Sequence, residues 1–418
     1  MVYVGALIVC ITIYLLVKQY ETRMVLFGSG LLMASVAMKP LAAFDAFAKT
    51  MVTGGLIQAI CSVMGFALVM KATECDRHLI NLVANGLQKV RPILIPGAML
   101  GTFAINIALP SAAGVSAAVG AIFIPILIAS GVHPAIAGAA VFGGTFGSML
   151  NPGLAHNPFI AKIVNVSVME VIAVHAKADI VAVVIGAISI TVVAYVLKED
   201  RGYVAPGASG SDQKELKANI FFALVPVIPI ILLVLGATGI VPALKKLGVA
   251  QAMLTGIIIA IVVTRKNPAE VTKSFFDGMG TAYGQLMGII IAAGVFVSGM
   301  QQIGLVKAFI DMMIGSTGIA KYAATFGPFL LAIIAGSGDA AAFAFNEAVT
   351  PHALKFGIEP IRMGSIATLA GALGRTMSPI AGACIICATI AGVSPMELAK
   401  RNAPGMILAI IASMFILL

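Results

Sequence analysis

The 418-residue sequence has no tryptophan, only five histidines and five cysteines, and few charged residues, which make up 10% of the chain. Soluble domains carry about 25% charged residues, so this chain lacks the polar surface that a soluble particle of its size needs. The H-E-x-x-H and G-x-S-x-G motifs are both absent from the sequence. Without a nucleophile–base pair or a metal cluster, we expect that the protein is not an enzyme.

The few cysteines do not indicate a disulfide framework. Cys384 and Cys387 have the C-x-x-C spacing of redox and metal motifs, but they lie in the apolar run 380–391 with no further ligand nearby. We interpret them as small buried hydrophobic residues. We therefore expect no cofactor and no structural metal, apart from Na⁺ or H⁺ as a coupling ion.

Basic residues outnumber acidic ones, 26 to 17, which gives a net charge of +9. They are scattered singly between apolar segments, and no clustered stripe could follow a phosphate backbone. This pattern argues against a nucleic-acid partner and favours a role in setting membrane topology.

Hydrophobic residues are abundant instead, at 60% of the chain. Apolar runs recur along the whole sequence, and about 20 such residues suffice to cross a bilayer as a helix. The first run lacks a basic start and a small-residue cleavage site, so we expect it to be a retained helix rather than a signal peptide. The clearest runs are 2–17, 24–37, 56–70, 180–197, 220–240, 253–263, 286–297 and 407–418. The pattern predicts an all-α polytopic membrane protein in a lipid bilayer.

The two halves of the chain resemble each other. At a spacing of 226, Ser111 aligns with Ser337 and Pro134 with Pro360; after a one-residue shift, the segment 166–170 (VSVME) aligns with 393–397 (VSPME). Prolines in register and four identities in five residues are improbable by chance, even in a Gly- and Ala-rich chain. We predict a first repeat at 1–197, a connecting loop at 198–217 and a second repeat at 218–418.

Each repeat contains two unusual segments. The stretches 92–130 and 322–355 are rich in Gly, Ala, Ser and Pro, and we predict that they form re-entrant helical hairpins. The stretches 134–166 and 360–393 are predicted discontinuous transmembrane helices, interrupted near Asn151-Pro152 and Ser378-Pro379. Proline removes a backbone donor, and interrupted helices in corresponding positions are typical of a transporter's substrate site near the middle of the membrane.

A topology follows from these segments. If both hairpins return to their starting side, each repeat crosses the membrane an odd number of times, so the second repeat must be inverted. With the first helix starting outside, more of the basic residues lie on the cytoplasmic side, as the positive-inside rule requires. The sequence therefore predicts a secondary transporter made of two inverted repeats.

Polar and charged side chains in the special segments are the candidates for transport, because such groups are expensive inside a membrane. The hydroxyls and amides suit a carboxylate or sodium: Ser111, Asn151, Asn157, Ser337, Asn346 and Ser378. Ser116 and Ser148 are interpreted as packing residues.

Three ionisable residues have two or more interpretations each. Arg375 can hold a carboxylate substrate through two donors, or it can form an ion pair with Asp339 or Glu347. Asp339 can bind a cation, carry a proton or pair with Arg375. His156 titrates near neutral pH and can carry a proton, or it can cap a helix that restarts at Asn157.

Three segments carry a resemblance to a known family. The segments 334–345 (IAGSGDAAAFAF), 373–379 (LGRTMSP) and 393–401 (VSPMELAKR) together resemble the DcuC family of anaerobic four-carbon dicarboxylate carriers, within the ion-transporter superfamily. The likeness covers most of the chain and is strongest in 335–401.

The resemblance implies a homodimer in the bacterial inner membrane that moves succinate, fumarate, malate or aspartate by an elevator movement, with exchange or cation coupling. It also implies that Ser337, Gly338 and Asp339 form a hairpin tip that faces Arg375, Thr376 and Ser378. Family members often have a neutral residue where Asp339 stands. Another organic anion, such as a sugar acid or an amino-acid conjugate, is therefore the alternative substrate, and a passive channel is the alternative mechanism.

Overall fold

The structure is a computed structural model that describes residues 1–18, 20–88, 93–204, 218–314 and 317–418. All regular secondary structure in these ranges is helical, so the predicted all-α fold is confirmed for them. The first half contains α1 (Val2–Val17), α2 (Thr22–Val36), α3 (Leu41–Met51), α4 (Gly54–Ala72), α5 (Cys75–Gln88), α6 (Leu94–Ala108), α7 (Ala112–Ala129), α8 (Pro134–Gly143), α9 (His156–Val164) and α10 (Val168–Val196).

The second half repeats this order. It contains α11 (Ile220–Leu224), α12 (Ile228–Ala237), α13 (Val249–Thr264), α14 (Pro268–Ala282), α15 (Gly288–Gln302), α16 (Leu305–Ile314), α17 (Thr317–Ala335), α18 (Gly338–Ala348), α19 (Pro360–Arg375), α20 (Gly382–Ala391) and α21 (Pro395–Leu417). Most of the predicted connecting loop, residues 205–217, lies outside the described residues, as does Pro92, where the first predicted hairpin begins. The repeat boundaries stay a prediction.

Several of these helices can cross a membrane. Among the described residues, six helical stretches are long and apolar enough: Gly54–Ala72, Ala112–Ala129, Val168–Val196, Ile220–Ala237, Pro268–Gln302 and Pro395–Leu417. At 1.5 Å per residue, a stretch of about 20 residues spans the hydrocarbon core of about 30 Å. The shorter apolar helices, such as α8 and α20, are too short to span it by themselves.

Helix starts and helix contacts both recur between the halves. The helices α7, α8 and α9 begin at residues 112, 134 and 156, and α18, α19 and α20 begin at 338, 360 and 382, a constant separation of 226 residues. Contacts between the halves are exchanged in pairs: α3 packs on α15, and α4 packs on α14. The equivalent final helices α10 and α21 pack on each other. Reciprocal contacts of this kind are the mark of an approximate two-fold relation.

Each half contains a pair of helices joined by a tight turn. The helices α6 and α7 form the first pair, and the turn between them, residues 109–111, is called the first tip. The helices α17 and α18 form the second pair, and the turn between them, residues 336–337, is called the second tip. Gly336 has a φ of +71°, a conformation that glycine adopts without strain. That either pair is re-entrant stays a prediction.

Each half also contains an interrupted helix. Residues 144–155, the first break, separate α8 from α9, and residues 376–381, the second break, separate α19 from α20. The Asn151 amide nitrogen donates to the Ile107 carbonyl of α6 at 2.7 Å, and the Ser378 hydroxyl donates to the Ile333 carbonyl of α17 at 2.7 Å. Each break is therefore tied to the helix pair of its own half by an equivalent hydrogen bond.

An apolar cluster joins these special segments to the rest of the protein. Phe159 of α9 and Phe343 of α18 pack with Leu56 and Ile60 of α4 and with Ile290 of α15. The helices α9 and α18, which follow the first break and the second tip, thus pack against α4 and α15.

Candidate functional site

Residues of the two halves meet at a histidine–aspartate pair. His156, the first residue of α9, has its Nε2 atom 3.0 Å from the Oδ1 atom of Asp339 in the first turn of α18. The imidazole stacks on the Phe343 ring at a centroid distance of 4.2 Å. The His156 side chain is 7% exposed and that of Asp339 is 42% exposed, so the carboxylate faces open space while the imidazole is enclosed. The pair fastens the second helix pair to the end of the first break.

Arg375, the last residue of α19, also crosses between the halves. Its Nη2 atom donates to the Thr145 carbonyl at 2.9 Å, and its Nη1 atom donates to the Thr145 hydroxyl at 3.3 Å, both in the first break. In the described part of the chain, no carboxylate lies within 4.0 Å of the guanidinium. The ion pair with Asp339 or Glu347 that the sequence left open is therefore not formed. The guanidinium keeps donors that no acidic side chain occupies.

The asparagines of the first break hold the backbone of that break. Asn151 accepts from the Gly153 amide at 2.8 Å, in addition to its bond to α6. Asn157 donates to the Met149 and Asn151 carbonyls at 2.8 and 2.9 Å and is fully buried. Asn157 satisfies carbonyls that the interrupted helix leaves without a helical partner, and Asn151 does the same for a carbonyl in the last turn of α6. The helix α9 begins at His156. The side chain of His156 pairs with Asp339 and does not form a capping hydrogen bond at the start of α9.

Ser111 lies at the first tip and caps α7. Its hydroxyl accepts from the Gly114 amide at 3.1 Å. The tip lines a cavity of about 620 Å³, which also reaches Lys71, Glu74, Asp76 and Arg77 between α4 and α5. Arg77 pairs with Glu74 at 3.6 Å, and no carboxylate of a described residue lies within 4.0 Å of Lys71. Burial raises the pKa of the Asp76 carboxyl, so this group is neutralised at a higher pH than an ordinary surface aspartate.

Ser337 occupies the equivalent position at the second tip but behaves differently. It is the N-cap residue of α18, yet its side chain makes no capping hydrogen bond. It lines a smaller cavity of about 140 Å³, together with Tyr20, Thr22 and Ile380. The hydroxyl of Ser337 is therefore free of the structural role that Ser111 performs.

The remaining candidates have structural partners. Asn346 donates to the Thr368 hydroxyl at 3.0 Å and accepts from Thr350 at 2.8 Å, both within the second half. Thr376 donates to the Leu373 carbonyl at 2.7 Å. Gly338 lets α18 approach α19 so closely that a Cβ atom would lie 2.4 Å from the Gly371 carbonyl oxygen. These residues position the second tip against the second break.

Two buried ionisable residues escaped the sequence analysis. His175 and Asp179 lie one turn apart in α10, fully buried, with the Nδ1 atom of His175 2.6 Å from the Oδ2 atom of Asp179. The apolar run of this helix begins at residue 180, so both residues fell just outside the predicted span. The helix begins at Val168, and an ionisable pair four residues apart was the available signal. The sequence analysis also did not identify Thr145 as the partner of Arg375, because a single threonine forms no motif.

The structure thus divides the sequence-derived candidates into two groups. His156, Asp339, Arg375 and Ser337 keep polar atoms that are exposed or free of structural partners. The others hold tips and breaks together: Ser111, Asn151, Asn157, Gly338, Asn346, Thr376 and Ser378. Cys384 and Cys387 are buried, and the described residues contain no group of three or more His, Cys, Asp or Glu side chains that could hold a metal ion.

Helices that can span a membrane, two interrupted helices and unpaired polar groups between them define a membrane transporter. Comparison with known proteins identifies the family. The family model described as "C4-dicarboxylate anaerobic carrier", DcuC, matches residues 6–418, and the chain belongs to the DcuC family. The resemblance seen in the sequence is confirmed. Because family members and named relatives are carriers, the protein is a transporter and not an enzyme.

Individual relatives cover much of the chain. An uncharacterized transporter of Haemophilus influenzae is 46% identical over 63% of this chain and 98% of its own length. The probable anaerobic C4-dicarboxylate transporter DcuC of Vibrio cholerae is 27% identical, and the anaerobic C4-dicarboxylate transporter DcuC of Escherichia coli K12 is 24% identical; each match covers 86% of this chain and 80% of the relative.

The fold also resembles that of a solved structure. MtrF of Neisseria gonorrhoeae, whose structure is titled as illuminating a class of antimetabolite efflux pumps, aligns with a TM-score of 0.60 over 90% of this chain and 82% of its own. The sequence identity is 16%, so the likeness concerns the fold alone.

Proposed function

We propose that the protein carries four-carbon dicarboxylates such as succinate, fumarate, malate or aspartate across the bacterial inner membrane, by exchange or by coupling to Na⁺ or H⁺. The transport unit consists of the two tips and the two breaks. It moves against α4 and α15 as an elevator, which exposes the site to each side of the membrane in turn.

The observation that carries this proposal is the state of Arg375. A guanidinium always bears a charge, and its planar donors match a carboxylate. Here the side chain is held by neutral groups of Thr145, and no carboxylate of a described residue lies within 4.0 Å of the guanidinium. A dicarboxylate that enters between the second break and the tips supplies the missing negative charge. The Ser337 hydroxyl, which caps nothing, is available to the second carboxylate.

The repeated architecture supports alternating access. The exchanged contacts of α3 with α15 and of α4 with α14 fit two repeats related by a two-fold axis. Two repeats with opposite orientation can present the same site to opposite sides of the membrane by exchanging their conformations. The cavity of about 620 Å³ at the first tip and that of about 140 Å³ at the second fit a state that is open on one side. We also propose a homodimer, in which α4 and α15 belong to the stationary part.

The proposal is tested by uptake of labelled succinate into proteoliposomes, with and without sodium and proton gradients. Arg375→Ala should abolish uptake, while thermal melting shows a folded protein. Arg362→Ala is the matched control, because Arg362 lies on the same helix but is exposed and paired with Glu359 at 2.8 Å. Normal uptake by Arg375→Ala would refute the assignment. Saturable counterflow separates a carrier from a passive channel.

Asp339 favours a second candidate, a carrier of another organic anion such as a sugar acid or an amino-acid conjugate. Its carboxylate is 42% exposed beside the proposed site and repels a dianion more than a monoanion or a molecule with an amino group. A thermal-shift screen of organic acids distinguishes the candidates, because a ligand stabilises the folded protein by mass action. Stabilisation by sugar acids or amino-acid conjugates, and none by succinate or fumarate, would replace the first proposal by the second.

A further inference from the structure

The buried pair His175 and Asp179 lies behind the first break. Both side chains are fully buried in α10, and the Oδ1 atom of Asp179 has no hydrogen-bond partner. The Nε2 atom of His175 lies 3.1 Å from the Oδ1 atom of Asn157, whose other atoms hold the first break. The pair thus connects to the backbone of the break through one amide side chain.

The orientation of that amide fixes the position of one proton. The Nδ2 atom of Asn157 lies 2.8 and 2.9 Å from two backbone carbonyl oxygens, which only accept hydrogen bonds. The amide nitrogen must therefore point toward these carbonyls, and Oδ1 must point toward His175. An oxygen acceptor at this position requires that the Nε2 atom of His175 carries a hydrogen and donates it.

A second proton must then lie between His175 and Asp179. The Nδ1 and Oδ2 atoms are 2.6 Å apart, and two bare lone pairs would repel each other at that distance. With Nε2 already protonated, a proton between Nδ1 and Oδ2 makes the pair either imidazolium with carboxylate or imidazole with carboxylic acid. Both forms have a net charge of zero, which a site without solvent exposure favours.

We propose that His175 and Asp179 form a proton-binding site and that release of the shared proton loosens the first break. The released proton passes to water, and the pair changes from neutral to a net charge of −1. The remaining ring proton can stay on Nε2, which leaves Nδ1 facing Oδ2 with no hydrogen between them, or move to Nδ1, which breaks the bond to Asn157. Either arrangement loses one of the two hydrogen bonds that hold this network together.

Neighbouring charges offer little compensation for the deprotonated pair. The helices α6, α8 and α12, which pack against α10, carry no ionisable side chain. The remaining ionisable groups on α10 and on the helices packed against it are His156 and Lys162 of α9, Glu170, Lys177 and Tyr195 of α10, Arg362 and Arg375 of α19, and Glu397, Lys400 and Arg401 of α21. In the described ranges of the chain, none of them forms an ion pair or hydrogen bond with His175 or Asp179. A buried, uncompensated carboxylate is strongly unfavourable, so proton loss must accompany a structural change.

The protonation state can be measured on the wild-type protein without any transport assay. Nitrogen-15 NMR of labelled histidine, assigned by replacing the four other histidines one at a time, should show hydrogen on the Nε2 atom of His175. The signal of Nδ1 should change as the pH is raised over the range in which the protein stays folded, because the shared proton leaves. A neutral ring with a bare Nε2 atom, or a ring unchanged over that range, would overturn the proposed site.

The coupling of this site to transport rests on the proposed function, and proteoliposomes test it. Asp179→Asn has nearly the shape of the protonated acid, and its amide can donate to Nδ1, so it mimics a permanently loaded site. With the membrane voltage clamped, a gradient of one pH unit supports about a tenfold accumulation for each coupled proton. We expect Asp179→Asn to lose this accumulation and to keep substrate counterflow. Asp277→Asn, an exposed aspartate of α14, is the control.

The outcomes separate the two proposals. If the wild type moves no organic anion, the proposed function fails while the NMR result still decides the proton site. If Asp179→Asn accumulates substrate like the wild type, or if a proton gradient drives no accumulation by the wild type, the coupling role is refuted. Should Asp179→Asn fail to fold, His175→Gln, whose amide cannot share a titratable proton with Asp179, is tested in the same assays with the same expectation.

Discussion

The two tips occupy equivalent positions in the two halves, but their serine side chains make different contacts. Ser111 at the first tip caps α7 with its hydroxyl, and the tip faces a wide cavity bordered by charged side chains. Ser337 at the second tip makes no capping bond and faces a cavity less than a quarter of that size. The same residue at the same point of the same architecture is thus structural in one half and free in the other.

The two breaks differ in a parallel way. The first is held by neutral groups of its own half: Asn151 donates to the Ile107 carbonyl, and Asn157 at the start of α9 donates to the Asn151 carbonyl. The second ends α19 with Arg375, which reaches into the first break to Thr145. The two halves thus share a frame and differ in chemistry: the first break offers neutral groups, and the second half supplies Asp339 and Arg375, which reach across to the first half.

The largest expected effect concerns the packing of the second tip. The position equivalent to Gly338 in the first half is Ala112, where a Cβ atom is present. Gly338→Ala would place a Cβ atom 2.4 Å from a backbone carbonyl oxygen, which cannot rotate away as a side chain could. We expect a destabilisation of about 2–3 kcal/mol, because overpacking a rigid contact forces the backbone apart. Thermal melting of the purified protein measures it.

Gly327→Ala is the control for this prediction. It lies in α17 of the same helix pair, and a Cβ atom there meets nothing within 4 Å. The usual gain of about 0.5–1 kcal/mol for an exposed helical glycine is offset here by Pro328, whose ring crowds a Cβ atom on the preceding residue, so this variant should have about the stability of the wild type. Equal melting temperatures for both variants would contradict the tight approach of α18 to α19.

The next prediction concerns the pair that joins the halves. His156 and Asp339 should show a coupling energy of about 1.5 kcal/mol in a double-mutant cycle of His156→Gln and Asp339→Asn. Hydrogen bonds to charged groups contribute about 1.5–3 kcal/mol, and the exposure of Asp339 places this one at the lower end. Asp339 has Ala113 as its counterpart, so the first tip has no such fastening. Stability changes that add within about 0.5 kcal/mol would show that the pair does not hold the tip.

The repeated frame was predictable from sequence because it depends on backbone chemistry. Prolines and glycines in register, such as Pro134 with Pro360, determine where helices begin and where they break, and the helices α8 and α19 begin at these two prolines. The pairing of side chains was not predictable in the same way. Nothing local indicates that Arg375 bonds to Thr145 rather than to Asp339, since that choice depends on how two distant segments pack.

The buried pair in α10 illustrates a different limit. A window of apolar residues excludes ionisable ones by construction, so His175 and Asp179 were placed beyond the end of the span. The tertiary structure overrides the hydropathy pattern here, because the pair and Asn157 satisfy one another inside the protein. A hydropathy window therefore fails to place buried polar residues that form hydrogen bonds with one another.

A smaller effect distinguishes the two serines directly. Ser111→Ala should destabilise the protein by about 1 kcal/mol, the usual contribution of an N-cap. Ser337→Ala should leave stability unchanged, because no capping bond is lost. Its effect should fall on transport instead, with KM rising up to about tenfold if the hydroxyl bonds to a substrate carboxylate. Melting curves and uptake kinetics of both variants test this crossed pattern. Two variants that change the same property would remove the functional distinction between the tips.

The smallest expected effect concerns the two cavities. Lys71 borders the wide cavity together with Glu74 and Asp76, but no carboxylate of a described residue lies within 4.0 Å of it, so its charge can attract an anion toward the first tip. Lys71→Gln should raise KM by about threefold and leave kcat unchanged, since the side chain acts on entry and not on the movement that follows. The difference in KM between Lys71→Gln and the wild type should shrink as salt increases, because charges separated by more than about 8 Å are largely screened at physiological ionic strength.

Lys273→Gln, which replaces an exposed lysine of α14, is the matched control. A KM change that is independent of salt would mean that Lys71 shapes the cavity rather than its potential, and the contrast between the cavities would then be one of size alone.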